Sequence, residues 1–357
     1  ESLTWKYILN QLISGQDLGS RHVDWAMDEI MTGSTPEPIL ASFLTSLHMK
    51  GETSEELGAL ARGMLAKAET IDLDVHAVDI VGTGGDQQNT VNISTMAALV
   101  IAGTGATVVK HGNRASTSKS GSADVLEALG IQLDMPIKSV AACARQVGIT
   151  FLFAMTFHPS MRFVGPTRKI LGIPTAFNYL GPMTNPARVS SSAIGVANPQ
   201  MVEKMAWVFA NRGDHALVFR GDDGLDELTI ATTSQIWEAS GGTLQKYVFN
   251  PEGYGIERSS LDNLRGGDAE YNASVFRAVL AGEGESAKDS LHAIRNAVLI
   301  NAAAGLIAYR KNDGRSFEER YTEALADARQ SIDTGAAAQV LNAWVEFSHL
   351  VVETPSP

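Results

Sequence analysis

Two short runs of residues, fewer than thirty positions apart, have the composition of phosphate-binding loops. Gly82-Thr83-Gly84-Gly85-Asp86 is a glycine-rich turn that frees backbone N–H groups for an anion, and Lys110-His111-Gly112-Asn113-Arg114 is cationic and rich in donors. Between them, Thr90-Val91-Asn92-Ile93-Ser94-Thr95 has the pattern of a helix start, which would add a third set of donors. Bare backbone and positive charge at this spacing predict a site that holds several phosphates at once.

A third run, Gly221-Asp222-Asp223-Gly224-Leu225-Asp226-Glu227, carries four carboxylates within six residues. Carboxylates beside a phosphate site are typical of Mg²⁺, a hard cation that takes oxygen ligands together with substrate phosphates. We expect Asp226 and Glu227 to be the metal ligands, while Asp222 and Asp223 could serve only to cap the turn. The run does not match a calcium loop, because the required ligand alternation and closing glutamate spacing are missing.

Each of these runs also has a purely structural interpretation. Glycine-rich turns occur in many α/β proteins for packing reasons, and Asn92, Ser94 and Thr95 could be ordinary helix caps. The basic run could be a solvated loop, but no acidic residue occurs from 87 to 123, whereas a solvated loop in an acidic protein would mix signs. His111 could orient a neighbour, shape a pocket or shuttle protons. The glycine-rich turn and the helix start at 92–95 both adjoin the end of one predicted strand, and this favours a phosphate site.

Length and charge limit the class of protein. With 357 residues the chain is long enough for two domains, and its net charge of −12 disfavours a nucleic-acid or anionic-membrane partner. The single cysteine, Cys143, permits no internal disulfide and suits a reducing compartment. We expect no secretory signal from the residues Glu1 to Lys6, and no span of a bilayer, since the apolar stretch 96–109 is interrupted by Gly103-Thr104-Gly105. We therefore expect a soluble cytoplasmic protein.

The first seventy residues predict helices only. Apolar residues recur at helical spacing in four segments, of which the first three end near Gly15, Gly33 and Gly51. Thr53 and Glu56 have the spacing of a capping box at the start of the fourth. Short loops between such helices predict an antiparallel bundle that serves as a scaffold or subunit interface.

From about residue 76 the pattern alternates between strands and helices. A strand at 78–81, a helix at 94–101 and a strand at 106–109 predict a right-handed crossover and a parallel sheet. Further elements are strands at 150–153, 193–196, 215–219 and 228–230, helices at 124–129 and 201–210, and helical structure from 286 onward. Five prolines in 158–188 predict short helices and turns that cross back to the helical domain.

The predicted fold class is therefore α/β, with a small N-terminal helical-bundle domain and a larger α/β domain whose mostly parallel central sheet is flanked by helices. We expect the helical domain at 1–74, joined by part of 160–190. The α/β domain is expected at 75–159 and 191–357, with the ligand site at the carboxyl edge of its strands.

Several further motifs lie between the second and third runs: Gly121-Ser122-Ala123-Asp124, His158-Pro159, Gly165-Pro166-Thr167-Arg168 and Asn178-Tyr179-Leu180-Gly181-Pro182. Over nearly its whole length the chain thus resembles the anthranilate phosphoribosyltransferases. The resemblance implies a homodimer joined through the helical domains and Mg²⁺-dependent use of phosphoribosyl pyrophosphate (PRPP). The implied reaction moves the phosphoribosyl group to the amine of anthranilate in tryptophan biosynthesis and releases pyrophosphate.

The resemblance also implies residue roles. PRPP would contact a set drawn from the first two runs and the segments that follow them: Gly82, Gly85, Asp86, Thr90, Asn92, Ile93, Ser94, Thr95, Lys110, His111, Gly112, Asn113, Ser116, Thr117, Ser118 and Ser122. Anthranilate would contact Gly82, His111, Asn113, His158 and Arg168, and the metal would be served by Ser94, Asp226 and Glu227.

Arg168 has a physical rationale for this role, because a guanidinium pairs bidentately with a carboxylate; its alternative is a surface arginine on a helix. The chain departs from the family's usual pattern at Arg220, where histidine is frequent before Gly221, and at Ser116-Thr117. We expect neither a covalent intermediate nor an essential general base, so Lys110, Asn113 and Arg168 would act by positioning and electrostatics.

Two other functions stay open on the residues alone. A pyrimidine-nucleoside phosphorylase would share the fold, but the glycine-rich turn and the Asp226-Glu227 pair suit a pyrophosphorylated, Mg²⁺-bound substrate better. A non-catalytic relative that binds nucleic acid would need a basic groove and degraded active-site motifs, and this sequence has neither.

Overall fold

The computed structural model describes residues 3–115, 118–285 and 289–352. Ser116 and Thr117, two of the residues assigned to PRPP, lie outside the described residues. The chain divides into two compact units, a helical unit (Glu1–Thr70 and Ala154–Arg188) and an α/β unit (Ile71–Phe153 and Val189–Pro357).

The elements are numbered along the chain. The strands are β1 (Val78–Gly82), β2 (Val108–Gly112), β3 (Ile149–Phe153), β4 (Ser191–Gly195), β5 (His215–Gly221), β6 (Ser234–Ser240) and β7 (Thr243–Phe249). The helices are α1 (Trp5–Ile13), α2 (Ser20–Met31), α3 (Glu37–Lys50), α4 (Ser54–Ala66), α5 (Ile93–Gly103), α6 (Ser122–Ala128), α7 (Ile137–Val147), α8 (Ala154–Phe157), α9 (Gly165–Leu171), α10 (Val202–Arg212), α11 (Ala269–Leu280), α12 (Ser290–Tyr309), α13 (Phe317–Asp333) and α14 (Ala336–Val352). Short 3-10 turns occur at Pro159–Phe163, Ala176–Asn178, Gly181–Met183, Pro251–Tyr254 and Leu261–Leu264.

The helical unit begins with the four helices that the sequence predicts. The capping box at α4 is present, since Thr53 Oγ1 accepts from the Glu56 amide at 3.1 Å and the Glu56 carboxylate accepts from the Thr53 amide at 2.9 Å. Gly51 follows α3 with a φ of 88°, a left-handed conformation that favours glycine. The segment 154–188 adds α8, α9 and three 3-10 turns to this unit.

The α/β unit is built on one seven-stranded sheet with the order β3-β2-β1-β4-β5-β6-β7. The first five strands in this order are parallel, and β6 and β7 are antiparallel to their neighbours. The sheet is flanked by helices, as the sequence predicts.

Helix α12 forms the core of the α/β unit. Among the described residues it is the one helix that is long and apolar enough to cross a membrane. The sequence predicts no segment of this kind. However, 89% of the most apolar window of α12 is buried inside the protein. Since Ala297, Ile300 and Ala304 on it are fully buried, this composition is that of a core helix.

One predicted strand is absent from the structure, and two observed strands were not predicted. Residues 228–230 are not a strand, although Leu228 and Ile230 are fully buried. The Leu228 amide donates to Asn301 Oδ1 at 2.9 Å and its carbonyl accepts from Asn301 Nδ2 at 3.0 Å, so a side chain of α12 replaces a neighbouring strand. The hairpin of β6 and β7 was missed; its turn is Gly241-Gly242, both at positive φ, a two-residue loop that is a known hairpin signal.

Candidate active site

The ends of parallel strands β2, β1 and β4 lie side by side, and the acidic run approaches them closely. A Cβ on Gly82, the last residue of β1, would lie 2.3 Å from Asp226 Oδ2. A Cβ on Gly195, its partner at the end of β4, would lie 1.8 Å from the Asp226 carbonyl oxygen. Both positions therefore need glycine so that the acidic run can reach the strand ends. Gly195 was not among the predicted site residues, since nothing local marks it.

The glycine-rich turn after β1 holds a left-handed backbone. Gly84 and Gly85 have φ values of 72° and 84°, and a Cβ at either position would meet open space. Glycine is thus required here by conformation and not by crowding. The Gly84 amide donates to Asp226 Oδ2 at 2.7 Å, which joins the turn to the acidic run. Gln87 and Asn89 also have positive φ, so the segment after the turn is conformationally constrained.

Three acidic side chains gather at this edge. Burial raises the pKa of Asp226, and the neighbouring Asp86 carboxyl raises it further. Burial and then the charge of Asp226 raise the pKa of Glu227, although Lys110 acts in the opposite direction. The Ser94 backbone, in the first turn of α5 where a helix favours negative charge, also lowers the pKa of Glu227. The net effect is a site whose carboxylates repel one another.

The chemistry of this set suits a divalent cation held jointly with phosphates. Among the described residues, no group of three or more His, Cys, Asp or Glu side chains could hold a metal by itself. Mg²⁺ usually binds through one or two carboxylates and fills its remaining positions with water and substrate phosphate oxygens. Asp226 and Glu227 fit this pattern, because a cation between them and a phosphate would relieve their repulsion. Asp222 and Asp223 are instead engaged locally, with Thr233 and Thr229 respectively.

Lys110 and His111 are strand residues, so the prediction that their run follows a strand ending at Val109 is wrong for the first three positions. Strand β2 continues to Gly112, because its pairing with β3 extends to that residue. Lys110 is 2% exposed and its Nζ donates to the Ile80 carbonyl and to Ser94 Oγ. Burial lowers the pKa of Lys110, while the charges of Asp79, Glu227 and Asp226 oppose that shift. His111 is also buried, and its amide donates to Asp79 Oδ1 at 3.2 Å.

The loop that follows β2 is closed by the first turn of α6. Asp124 Oδ2 accepts from the Ala115 and Gly121 amides at 2.9 and 2.8 Å. Arg114 forms two 2.6 Å hydrogen bonds to Glu127, so its charge is compensated within the protein. Asn113 is exposed, whereas Ser122 Oγ, within α6, donates to the Asn113 carbonyl. The predicted cationic loop therefore offers amide and hydroxyl groups rather than a free arginine.

At the start of α5, Asn92 occupies the N-cap position but its side chain does not cap the helix. Asn92 Nδ2 donates to the Ser120 carbonyl at 3.0 Å, and Asn92 Oδ1 accepts from Asn272 Nδ2 at 3.0 Å. The simple-cap interpretation of this residue is thus wrong. Asn272 lies 180 positions away and could not have been found from the local sequence.

Of the residues predicted to contact anthranilate, His158 and Arg168 belong to the helical unit, whereas Gly82, His111 and Asn113 belong to the α/β unit. His158 is buried and its Nε2 lies 2.9 Å from the Thr184 carbonyl; burial lowers its pKa, against the effect of that hydrogen bond.

Arg168 lies on α9, partly buried, and burial lowers its pKa. Its guanidinium donates to Asn178 Oδ1 at 3.3 Å and lies 6.0 Å from the Phe177 ring centroid. Within the described part of the chain it has no carboxylate within ion-pair distance, unlike Arg114 or Arg320. Arg220, the departure noted from the sequence, donates through Nε to the Ala197 carbonyl at 2.6 Å.

Comparisons with known proteins agree with this geometry. The model of a glycosyl transferase family α/β domain matches residues 74–338, and the model of that family's helical bundle domain matches residues 6–68. An anthranilate phosphoribosyltransferase of Arthrobacter sp. (strain FB24) is 53% identical over 345 residues, which cover 97% of this chain and 96% of the relative.

Solved structures give the same result. The anthranilate phosphoribosyltransferase TrpD of Thermus thermophilus has a TM-score of 0.87 and 37% identity, covering 96% of this chain and 99% of its own. The Saccharomyces cerevisiae anthranilate phosphoribosyltransferase in complex with PRPP and Mg has a TM-score of 0.87 and 28% identity, covering 98% and 99%. At this level of identity over almost the whole length, the chain belongs to the anthranilate phosphoribosyltransferase family.

Proposed function

We propose that this chain transfers the 5-phosphoribosyl group of PRPP to the amine of anthranilate, giving N-(5-phosphoribosyl)anthranilate and pyrophosphate, in tryptophan biosynthesis. The observation that carries the proposal is the meeting of three features at one strand edge. These features are the turn at 82–86, the first turn of α5 and the Asp226-Glu227 pair: the Gly84 amide donates to Asp226, and the Ser94 backbone lowers the pKa of Glu227. Together they offer an anion site beside a cation site, as a magnesium pyrophosphate ester requires.

In this proposal Asp226 and Glu227 hold Mg²⁺ and Ser94, whose hydroxyl accepts from Lys110, serves the same ion. The bound metal would neutralise charge on the departing pyrophosphate. Lys110 contributes positive charge to the acidic pair, because its ammonium contacts Ser94 and interacts electrostatically with both carboxylates. Because Lys110 is buried, we assign it the role of balancing the negative charge of Asp226 and Glu227 and of holding them in place.

The other PRPP contacts are proposed to come from residues that present backbone amides or short polar side chains at the strand ends: Gly82, Gly85, Asp86, Thr90, Asn92, Ile93, Thr95, His111, Gly112, Asn113, Ser118 and Ser122. Leaving-group departure builds positive charge on the ribose and negative charge on the pyrophosphate. Fixed amide dipoles at 83–86 and at the start of α5 would stabilise the negative charge without reorganising.

Arg168 is proposed to pair with the anthranilate carboxylate, since it is a partly buried guanidinium without a carboxylate of its own among the described residues. Asn113 would assist in positioning, with Gly82, His111 and His158 lining the acceptor site. The aromatic amine needs little activation, so positioning replaces a general base, and no covalent intermediate is proposed.

The proposal extends to a cytoplasmic homodimer joined through the helical unit. Support for the dimer comes from exposed apolar side chains of that unit, among them Ile13 (75% exposed), Met49 (83%) and Ile170 (80%). Sedimentation of the purified protein tests it, with a mass of one chain as the contradicting result. The buried free thiol of Cys143 is consistent with a reducing compartment.

The test of the activity follows anthranilate fluorescence over time with PRPP and Mg²⁺, then with the metal chelated. We expect loss of signal that depends on both PRPP and metal and returns when Mg²⁺ is restored. No loss of signal with folded protein would contradict the proposal, and phosphorolysis of pyrimidine nucleosides would then be measured in the same preparation.

A further inference from the structure

A segment far along the chain lies against the start of α5. Residues 264–272 are here called the strap, and the first three of them, 264–266, run antiparallel to residues 89–91. Two backbone hydrogen bonds join them, Val91 N to Leu264 O at 2.9 Å and Gly266 N to Asn89 O at 2.8 Å, and these two bonds make Thr90 and Arg265 an antiparallel pair. The strap thus pairs with the stretch that connects the glycine-rich turn to α5.

Asn272 joins the strap to the side chain of Asn92. It is 1% exposed, its Oδ1 accepts from the Gly267 amide at 2.9 Å and its Nδ2 donates to Asn92 Oδ1 at 3.0 Å. Because the Gly267 amide can only donate, the amide group of Asn272 must turn its NH₂ toward Asn92. Asn92 must then turn its own NH₂ the other way, toward the Ser120 carbonyl.

The result is a chain of hydrogen bonds, from Gly267 through Asn272 and Asn92 to Ser120, that crosses between two loops. Asn92 follows the turn after β1, whereas Ser120 belongs to the loop after β2. A ligand that contacts both loops is bound more tightly when their separation is fixed in advance, because less ordering remains to be done on binding.

We propose that Asn272 is a positioning residue for PRPP. It holds Asn92 in the orientation that fixes the two phosphate-binding loops relative to each other, without touching the substrate. The inference rests on the proposed function, in that PRPP is taken to bind both loops.

The close approach of Gly266 to residues 90 and 91 also shows how tightly the strap packs there. A Cβ on Gly266 would lie 2.9 Å from each of the Thr90 carbonyl oxygen, the Val91 amide nitrogen and Asn272 Oδ1. Two of these atoms are backbone and cannot swing away, so an added methyl group must displace the strap from residues 89–92.

The sharpest variant is Asn272→Asp. It keeps the shape of the side chain and an oxygen to accept from Gly267, but it places an oxygen against Asn92 Oδ1 where the donor was. The control is Asn296→Ala, a buried asparagine on α12 whose side chain bonds to His292 on the same helix. The KM for PRPP, the KM for anthranilate and the Kd for PRPP with Mg²⁺, measured by calorimetry without anthranilate, are compared across the variants.

For Asn272→Asp we expect the KM and Kd for PRPP to rise roughly tenfold or more, as for the loss of a buried hydrogen bond. The KM for anthranilate should change less than about twofold. The control should leave all three constants unchanged. Equal increases in both KM values, or a reduced kcat with an unchanged Kd for PRPP, would overturn the proposal.

If Asn272→Asp does not fold, Gly266→Ala carries the same expectation, and an unchanged PRPP affinity in that folded variant overturns the inference. The proposed function fails in a different way. Wild-type protein would then bind PRPP with Mg²⁺, with an affinity that these variants weaken, and yet consume no anthranilate.

Discussion

The α/β unit contains two sites of buried carboxylates that are opposite in their electrostatics. At the parallel edge, Asp226 and Glu227 have raised pKa values because burial and neighbouring carboxylates disfavour their charge. On antiparallel strand β6, Glu238 receives two hydrogen bonds from Arg320, at 2.7 and 2.8 Å, and lies 2.8 Å from His215 Nε2. Burial alone would raise the pKa of Glu238, but these partners lower it to about 2.

The difference separates a structural cluster from a functional one. The charge of Glu238 is compensated by Arg320 and His215, so Glu238 connects β6 to α13 and β5. No uncompensated charge is left there to attract a ligand. The charges of Asp226 and Glu227 are only partly matched, by Lys110 and by amide groups. An incompletely compensated carboxylate pair lowers stability in the free protein and gains most from a bound cation.

The strongest test of this contrast is the double variant Asp226→Asn with Glu227→Gln. We expect turnover to fall by at least roughly 10⁴-fold, since the metal and its charge stabilisation are lost together. The melting temperature should stay the same or rise, because the mutual repulsion is removed. Activity is measured by anthranilate fluorescence and stability by calorimetry.

A matched control for that variant is Asp222→Asn, which neutralises an exposed carboxylate in the same run that bonds to Thr233 and Gln235. It should retain most of the turnover. Wild-type rates in the double variant would remove the metal assignment, and a large fall in its melting temperature would remove the contrast between the two clusters.

Glu238→Gln should have the opposite effect to the double variant, with stability lost and turnover retained. Removing one partner leaves the Arg320 charge buried, and we expect a loss of about 3–5 kcal/mol in the free energy of unfolding. The folded variant should keep its turnover at low temperature. Urea unfolding provides the measurement, and Glu323→Gln, which breaks an exposed pair with Arg315, should cost less than about 1 kcal/mol. Equal costs for the two variants would contradict the structural role of Glu238.

Arg168→Ala extends the comparison to the helical unit, where a cation lacks a carboxylate among the described residues. We expect the KM for anthranilate to rise roughly 10- to 100-fold, as for a lost charged hydrogen bond, with a change of less than about threefold for PRPP. Arg162→Ala is the control, since this arginine lies over the Phe163 ring at 4.7 Å. Similar increases in the KM for both substrates would refute the assigned role of Arg168.

The smallest expected effect is the acid dependence of the Glu238 cluster. In the folded protein the pKa of Glu238 is about 2, below its ordinary value of 4.5. The contribution of Glu238 to the free energy of unfolding is therefore complete above pH 4.5 and is lost as the pH falls toward 2. Melting temperatures at pH 5 and pH 3 should therefore differ more for wild-type protein than for Glu238→Gln. An equal difference in both proteins would show that the cluster does not titrate in this range.

Much of the fold follows from local sequence patterns. The capping box of Thr53 and Glu56 and the C-cap at Gly51 mark helix boundaries that the structure confirms. The strand, glycine turn and helix at 78–103 also form as predicted. These features could be predicted because propensity, capping and alternation act within a few residues.

Other features could not be read in this way. Leu228 looks like a strand residue, yet its backbone pairs with the side chain of Asn301 on α12. The end of β2 was placed too early because the pairing with β3, and not the composition of 110–112, carries the strand to Gly112.

The chemical inventory of this protein follows from its amino-acid order alone: the phosphate-binding turn, the acidic run, the family and the order of most helices and strands. Folding in three dimensions was needed to establish which carboxylates are neutralised and which are left for a cation. Glu238 and Arg320 are 82 positions apart, and Asn92 and Asn272 are 180 positions apart. Such pairs have no period and no motif, because the chain must fold before burial and distance can assign each charge or amide its partner.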